Sequence, residues 1–425
     1  MTADPDPVRV AYLVSQYPAL SHAFIEREVL ELRAAGAQVT TFTVRRCPPE
    51  QLKSAEMRGE DARTTALLGQ APTAYVREVA RYARTGGPGA LLGGVRAAVR
   101  AGRGGLRDRA WQAFYLVEAL RLVAIMRAIG LRHVHVHFAN NGADVARLAC
   151  VLGNGLRTPD DSPAWTWSFS MHGPTELEDP DAHGLRDKTR DAAFVACISA
   201  YARDRLAGYL DPQDRHRLPI VHMGVDSEHF PPAAAERRAR APGALRVLFV
   251  GRLVTEKGPD VLVEALARLG LPFVGKIVGA GPLAEQLQDL VTERGLAGQI
   301  HLLGGRGQDE LPELYRWADV FCLPSFREGV PVVLMEAMAS ELPVVTTAVA
   351  GIPELVTDGV SGLFVPPGDP DALAAAVREL ALDPDRRETF GRAGRHAVLR
   401  SFTAEPNARR LLAAFRTSAG QSVPG

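Results

Sequence analysis

Apolar and polar positions fall into short blocks along the chain, and the blocks change period in a regular order. Residues 8–14 form a short apolar pattern of strand length, followed by a turn-like Ser15-Gln16-Tyr17-Pro18. Residues 24–32 carry apolar side chains at helical spacing, and Gly36 marks the end of that helix. Residues 38–44 are strand-like again, so the opening predicts a β-α-β unit. The alternation returns with strands at 133–138, 165–171, 193–198 and 220–223, a helix over 142–152 and another starting near Ser199. It restarts after residues 231–243. There the pattern predicts strands at 245–250, 273–278, 299–303, 320–323 and 344–346, and helices over 259–269, 283–294, 309–317, 331–340 and 370–381.

Alternating β and α elements imply α/β architecture, with mostly parallel sheets covered on both faces. Two such halves imply two Rossmann-like domains facing across a cleft, with ligands at the carboxyl ends of the strands. The expected division is 1–230 for the first domain, 231–243 for a linker and 244–400 for the second domain. Residues 401–425 follow the second domain.

Composition narrows the possibilities. The chain has 425 residues, and 49 basic side chains balance 49 acidic ones, so no nucleic-acid clamp is expected. Cys47, Cys150, Cys197 and Cys322 include no Cys-x-x-Cys pair, which disfavours a zinc knuckle and a redox motif and fits a reducing compartment. No basic stretch leads into an apolar one at the start, and no apolar run is long enough to span a bilayer. A cytoplasmic protein is expected. The Ala, Arg and Gly content suggests a bacterial source with a GC-rich genome.

One segment stands apart. Residues 77–132 hold eleven Arg against Glu78, Asp108 and Glu118, a formal excess of eight positive charges. Two readings stay open here: a solvated helical surface, or a patch for anionic head groups or a pyrophosphate-linked acceptor.

Three motifs carry candidate chemistry. Glu328 lies in the loop after the strand at 320–323, Pro331 suits the first turn of a helix, and Glu336 falls inside that helix. The spacing Glu-x7-Glu places one carboxylate near free amides and a second where it can bond a diol. Gly251-Arg252 and Lys257-Gly258 also follow a strand and open a helix. There Gly251 admits a ligand close to the backbone, and two fixed cations suit a diphosphate. Gly279-Ala280-Gly281-Pro282 partly matches a dinucleotide fingerprint. The next strand ends without the acid that a nicotinamide ribose needs, so this motif reads as a tight turn beside a phosphate site.

Together these residues resemble the retaining GT-B glycosyltransferases of family 4, in the group associated with exopolysaccharide synthesis. Gly351-Ile352-Pro353-Glu354, Tyr17-Pro18-x2-Ser21-x2-Phe24-Ile25 and Met223-Gly224-Val225-Asp226 extend the resemblance over nearly the whole chain. His22 and Ala23 stand where the group often has Glu and Thr, and Met223 where it has Asn. The resemblance implies that Arg252 and Lys257 bind the donor diphosphate and that Glu336 bonds the ribose. It implies that Glu328, with the amides near Gly329, Val330 and Pro331, holds the donor sugar, and that Leu303 and Gly304 frame the base. His172 would face the donor sugar near the reacting carbon. Tyr17, Ser21 and His22 would belong to the loop that meets the acceptor, and in 401–425 a helix around 402–416 would cross back towards the first domain before a tail.

The expected activity is transfer of a sugar from a nucleotide-diphosphate donor to an acceptor hydroxyl, with retention, in polysaccharide or glycoconjugate synthesis. No cofactor and no metal are expected. The acceptor is open, lipid-linked or anionic included, as is peripheral contact of 77–132 with an anionic membrane at its inner face. Two alternatives remain: a natural-product glycosyltransferase with a small soluble acceptor, and a non-catalytic nucleotide-sugar-binding protein. Four Asp-Pro-Asp triplets and the run His133-x-His135-x-His137 offer metal-ligand chemistry, but turn formation and packing account for them more simply.

Overall fold

A computed structural model describes residues 7–19, 22–102, 105–157, 164–239 and 243–419. The chain divides into two compact units, one of residues 1–221 with 408–425 and one of residues 222–407. Residues 222–230, read from the sequence with the first half, thus pack with the second.

The first unit is built on six strands: β1 (Arg9–Gln16), β2 (Gln38–Arg45), β3 (Thr65–Ala66), β4 (His133–His137), β5 (Thr166–Met171) and β6 (Val195–Cys197). Their order is β3-β2-β1-β4-β5-β6, and every neighbouring pair is parallel. The order reverses between β1 and β4, which opens a crevice at their carboxyl ends. Alternation along β1 divides the core between the two faces of the sheet. Ala11 and Leu13 pack with the helices Asn141–Gly155 and Leu106–Ala128. Val10, Tyr12 and Val14 pack with Ile25, Val29 and Leu32 of the helix Ala23–Ala34. Ala408, Leu411, Leu412 and Phe415 of the helix Ala404–Ser418 complete that second layer.

The second unit repeats the plan with β7 (Leu245–Val250), β8 (Phe273–Val278), β9 (Ile300–Gly304), β10 (Val320–Leu323), β11 (Val344–Thr347) and β12 (Gly362–Val365). The order β12-β11-β10-β7-β8-β9 is again parallel throughout and reverses between β7 and β10.

Three expectations need correction. Residues 220–223 form no strand; Ile220 makes a single bridge to Cys197. The short strands β3 and β12 and the helix Pro384–Ser401 were not legible in the hydrophobic pattern. That helix is rich in Arg and buries only Phe390, Gly391, Gly394 and Val398, so its apolar stripe is thin. The segment 231–243, read as a linker or a poorly packed helix, holds a short helix, Ala234–Arg238, with no buried residue, but its Arg237 donates to the carbonyls of Ser340 and Glu341.

The basic segment forms two long helices, Pro72–Ala101 and Leu106–Ala128. They belong to the core as well as the surface. Leu116, Leu120, Val123 and Met126 are buried, and Tyr82 donates its hydroxyl to the Leu152 carbonyl at 2.7 Å. Among the described residues, no helix is long and apolar enough to cross a membrane. All four cysteines are buried and unbridged.

Candidate active site

The order reversal in the second sheet brings two of the sequence motifs together. The loop after β7 carries Gly251, Arg252 and Lys257, and the loop after β10 carries Ser325 and Glu328. Lys257 Nζ donates to Glu328 Oε1 at 2.6 Å, and Ser325 Oγ donates to the same oxygen at 2.7 Å. Glu328 is buried, so its carboxylate is fixed by two donors before any ligand arrives. Arg252 is exposed on the same loop as Lys257. The backbone amide of Phe326 donates to the Glu256 carbonyl at 2.8 Å, which ties the two loops to each other.

Close backbone approach explains the glycines. A Cβ on Gly279 would lie 1.8 Å from the Gly251 carbonyl oxygen, and φ there is +151°. A Cβ on Gly258 would lie 2.4 Å from the Pro324 carbonyl oxygen, with φ at +62°. Only glycine permits both the contact and the dihedral. The Gly279-Ala280-Gly281-Pro282 turn thus abuts the 251–253 loop: Leu253 N donates to Ala280 O, and Leu283 N donates to Leu253 O. Gly304, at the end of β9, accepts from Gly279 N at 3.0 Å, so Leu303 and Gly304 border the same turn.

Glu336 sits in the helix Val332–Ala339, which follows Pro331, and is only 1% exposed. The Tyr315 hydroxyl donates to its Oε2 at 2.7 Å. Burial, reinforced by the neighbouring Glu336, pushes the Tyr315 phenol well above its ordinary range, so it remains a donor. Gly351 N donates to Gly329 O at 3.1 Å, so the Gly351-Ile352-Pro353-Glu354 motif braces the loop that carries Gly329 and Val330.

In the first unit, His172 directly follows β5. Its Nε2 is 2.8 Å from His137 Nδ1, and Phe24 and Phe138 pack against its ring at 4.9 Å. His137 Nε2 lies 3.2 Å from Glu28 Oε1, which also accepts the Tyr12 hydroxyl at 2.8 Å. Burial first, then His137 and His22, hold His172 well below the usual imidazole range, so it is neutral. His137 Nε2 makes no hydrogen bond among the described residues, so only the nearby Glu28 charge favours its proton, the tautomer in which His137 Nδ1 accepts from His172 Nε2–H. His172 Nδ1 then holds the ring's lone pair.

The other residues singled out from the sequence are placed differently. Tyr17 is 1% exposed, and its hydroxyl faces Glu60 at 3.4 Å, so it is part of the core. Ser21 lies outside the described residues. His22 is half-buried and bonds the Gln16 carbonyl through Nδ1 at 3.0 Å. The histidines of β4 are built into the sheet: His133 contacts Thr166 and Ser168, and His135 contacts Ser168 and Ser170. Ligand atoms of Glu28, His135 and His137 come within 4.8 Å of one another, but both His135 nitrogens and His137 Nδ1 already have partners. Of the Asp-Pro-Asp triplets, Asp369 and Asp383 cap helices and Asp179 Oδ1 accepts from Ala182 N. The triplet at 4–6 lies outside the described residues.

Ser325, Tyr315, Glu28 and His137 were not read as site residues. His137 carried a signal, since it lies on the same strand face as two other histidines. Tyr315 and Glu28 carried none, because each gains its meaning from a partner distant in the chain, whereas Ser325 stands three residues before its partner Glu328.

Residues 233–397 match the family described as Glycosyl transferases group 1. A putative colanic acid biosynthesis glycosyltransferase of Salmonella typhimurium is 37% identical over 212 residues, 47% of this chain and 51% of that protein. A GDP-mannose-dependent alpha-(1-6)-phosphatidylinositol monomannoside mannosyltransferase of Mycolicibacterium smegmatis is 37% identical over 230 residues, 51% of this chain and 60% of that protein. The chain thus spans about half the length of the curated relatives it matches. Anabaena HepE in complex with UDP superposes with a TM-score of 0.71 at 15% identity, over 96% of this chain and 100% of that one. The two six-stranded parallel sheets are therefore those of the GT-B fold expected from the sequence, and the residues that match the glycosyl transferases group 1 family lie within the second unit.

Proposed function

We propose that this chain is a retaining glycosyltransferase of family 4 that moves a sugar from a nucleoside-diphosphate donor to an acceptor hydroxyl. The observation that carries this reading is the Lys257–Glu328–Ser325 cluster at the order reversal of the second sheet, on a loop that also bears the exposed Arg252. Breaking the donor's glycosidic bond leaves negative charge on the diphosphate. Arg252 and Lys257 stabilise that charge, so no metal is required. Glu328 orients Lys257 and accepts from a donor-sugar hydroxyl. Glu336 takes the ribose, and the turn at Leu303 and Gly304 takes the base. For His172, in the first unit, the resemblance implies a place near the donor sugar, and its neutral ring would offer Nδ1 there as an acceptor without adding charge.

In this reading the acceptor and the leaving phosphate share one face of the sugar, which gives retention, and the protein acts by positioning and charge stabilisation. The relatives named for colanic acid synthesis and for a phosphatidylinositol mannoside favour a glycoconjugate acceptor. The exposed arginines of the helix Pro72–Ala101 would then face an anionic surface.

A melting panel tests this reading. UDP, GDP, ADP, dTDP and NAD are each added with excess EDTA. A ligand at about 100 times its dissociation constant adds ~2.7 kcal/mol of stability. A rise with one nucleoside diphosphate is the expected result and names the base. No rise with any diphosphate, or a rise with NAD alone, would remove the donor site from the second unit.

A further inference from the structure

The carboxylate of Glu28 and the rings of His135 and His137 meet on one face of the first sheet. Alternation along β4 sends His133, His135 and His137 to that face, and the helix Ala23–Ala34 brings Glu28 to it. One ligand atom from each of Glu28, His135 and His137 lies within 4.8 Å of the other two. Tyr12 of β1 walls the cluster, with its ring 5.0 Å from His135 and 5.6 Å from His137, and its hydroxyl donates to Glu28 Oε1 at 2.8 Å.

The contact between His137 and Glu28 is not a hydrogen bond. Nε2 lies 3.2 Å from Oε1, yet it has no hydrogen-bond partner among the described residues. At that separation only direction forbids the bond, so the oxygen lies off the N–H axis of the ring. A metal ion accounts for both the distance and the direction. Zinc binds imidazole nitrogen at about 2.0–2.1 Å and carboxylate oxygen at about 2.0–2.2 Å, with its ligands set tetrahedrally. An ion on the Nε2 axis therefore puts a neighbouring ligand oxygen about 3.3–3.5 Å from Nε2 and to one side of it. Nε2 is sealed from solvent, as a metal-ligating atom is, while 18% of the Glu28 side chain is exposed and leaves a way in.

His135 completes a set of two imidazoles and a carboxylate. Its nitrogens bond Ser168 Oγ at 2.8 Å and Ser170 Oγ at 3.0 Å. A serine hydroxyl rotates to suit its partner, so one of these bonds can be exchanged for the ion while the other orients the ring. Closing the set onto an ion takes a shift of about 1.5 Å at most. Tyr12 holds the carboxylate in the same way, and His172 holds His137. Imidazole ligands select zinc over magnesium and calcium, which take oxygen.

The ion acts beyond its own site. Without it, His137 carries its proton on Nε2 and accepts at Nδ1 from His172 Nε2–H, 2.8 Å away. With it, His137 Nε2 gives its lone pair to the metal, so the His137 proton moves to Nδ1 and is donated to His172 Nε2. The His172 proton then sits on Nδ1. Both rings stay neutral, two protons change position and none is released. We propose that Glu28, His135 and His137 bind a zinc ion, and that the ion converts His172 Nδ1 from an acceptor to a donor. Zinc binding and the tautomer exchange stand on the first unit alone; their use as a brake on sugar transfer rests on the glycosyltransferase reading above.

The test uses the full chain, stripped with EDTA and then freed of it. Zinc binding is read by equilibrium dialysis, with magnesium as the contrast, and cobalt in place of zinc is read by its visible absorption. One zinc per chain, no magnesium and the absorption of tetrahedral cobalt are expected. Zinc binding should weaken at least about tenfold in Glu28→Gln and in His137→Gln and stay unchanged in His301→Gln, a change at an exposed histidine of the second unit. Circular dichroism checks that each variant folds, and the cobalt spectrum of the parent chain needs no variant. In the chain with 15N-labelled histidine, with His172 assigned through His172→Gln, zinc should exchange the protonated and unprotonated nitrogens of His172. The site is overturned if no zinc binds, if both ligand variants bind like the parent chain, or if His301→Gln abolishes binding. Bound zinc with unchanged His172 nitrogens overturns the switch. The nucleotide melting panel contains EDTA and reads the second unit. A failed panel therefore leaves the zinc results standing, and a chain that ignores zinc leaves the donor reading standing.

Discussion

Lys257 Nζ lies 2.6 Å from Glu328 Oε1, joining two loops that are 71 residues apart in the chain. Neither side chain acts alone. Removing Glu328 leaves the ammonium free to swing, and removing Lys257 leaves a buried carboxylate with Ser325 as its remaining charge-independent donor. Lys257→Ala and Glu328→Ala are each expected to cut donor turnover at least about a hundredfold while the fold persists. The double variant should lose less than the product of the two, as for residues that act as a unit. Initial rates of sugar transfer or donor hydrolysis measure this. Near-parental rates in both single variants would remove the pair from the chemistry.

The Glu28–His137–His172 chain makes a separate prediction about positioning. Glu28→Gln removes the charge that favours the proton on His137 Nε2, so the ring pair loses its preferred tautomer. Turnover should fall at least about tenfold, while nucleotide binding, which belongs to the second unit, stays unchanged. An equal change in both would mean that Glu28 acts only through folding.

Gly279 tests the backbone contact between the two donor loops. With a Cβ only 1.8 Å from Gly251 O, Gly279→Ala must displace one loop. A loss of about 2 kcal/mol or more in the second unit's urea-unfolding free energy is expected. Gly305→Ala, where a Cβ would meet only Ala280 Cβ at 3.8 Å, is the control and should change little.

Glu118 links stability to pH. Burial pushes its carboxyl up to about 7, and Arg45 offsets this only in part. Its Oε2 has no partner among the described residues. The folded state keeps this proton where the unfolded chain has released it. Stability therefore falls as pH rises from the ordinary carboxylate range to about 7, and the full penalty applies above that. Glu118→Gln should raise the melting temperature more at about pH 8 than at about pH 5. An equal gain at both would assign the effect to packing.

The exposed arginines Arg81, Arg84 and Arg96 lie on the helix Pro72–Ala101, where Leu92, Val95 and Val99 are also exposed. Reversing these three charges should weaken binding to phosphatidylglycerol vesicles at low salt, measured by co-sedimentation. If the parent chain ignores such vesicles, the membrane reading is gone.

The sequence by itself determined whatever rests on neighbours in the chain. Strand and helix periods placed β7, β8 and β10 at their observed bounds. The strand-end positions of Arg252, Lys257 and Glu328 followed from the same pattern, because a loop begins where a periodic run stops. The glycines at 279 and 281 were legible as a tight turn, though not as the points where separate loops touch. Where local signal was thin it failed. The Arg-rich helix Pro384–Ser401 shows almost no apolar stripe, yet Asp383-Pro384 was available as a cap and a first-turn proline.

Tertiary structure alone decided the pairings. Strand order, which no local pattern encodes, reverses between β7 and β10 and so delivers Lys257 to Glu328. Burial of Tyr315 beside Glu336 and the approach of Glu28 to His137 depend on helices packing over sheets. The cavity lined by Trp111, Asn140 and His183 in the first unit exists because several helices and loops from separate parts of the chain close around it. A side chain's chemistry is written in the sequence, but its partner, its desolvation and therefore its charge state are set only when distant segments meet.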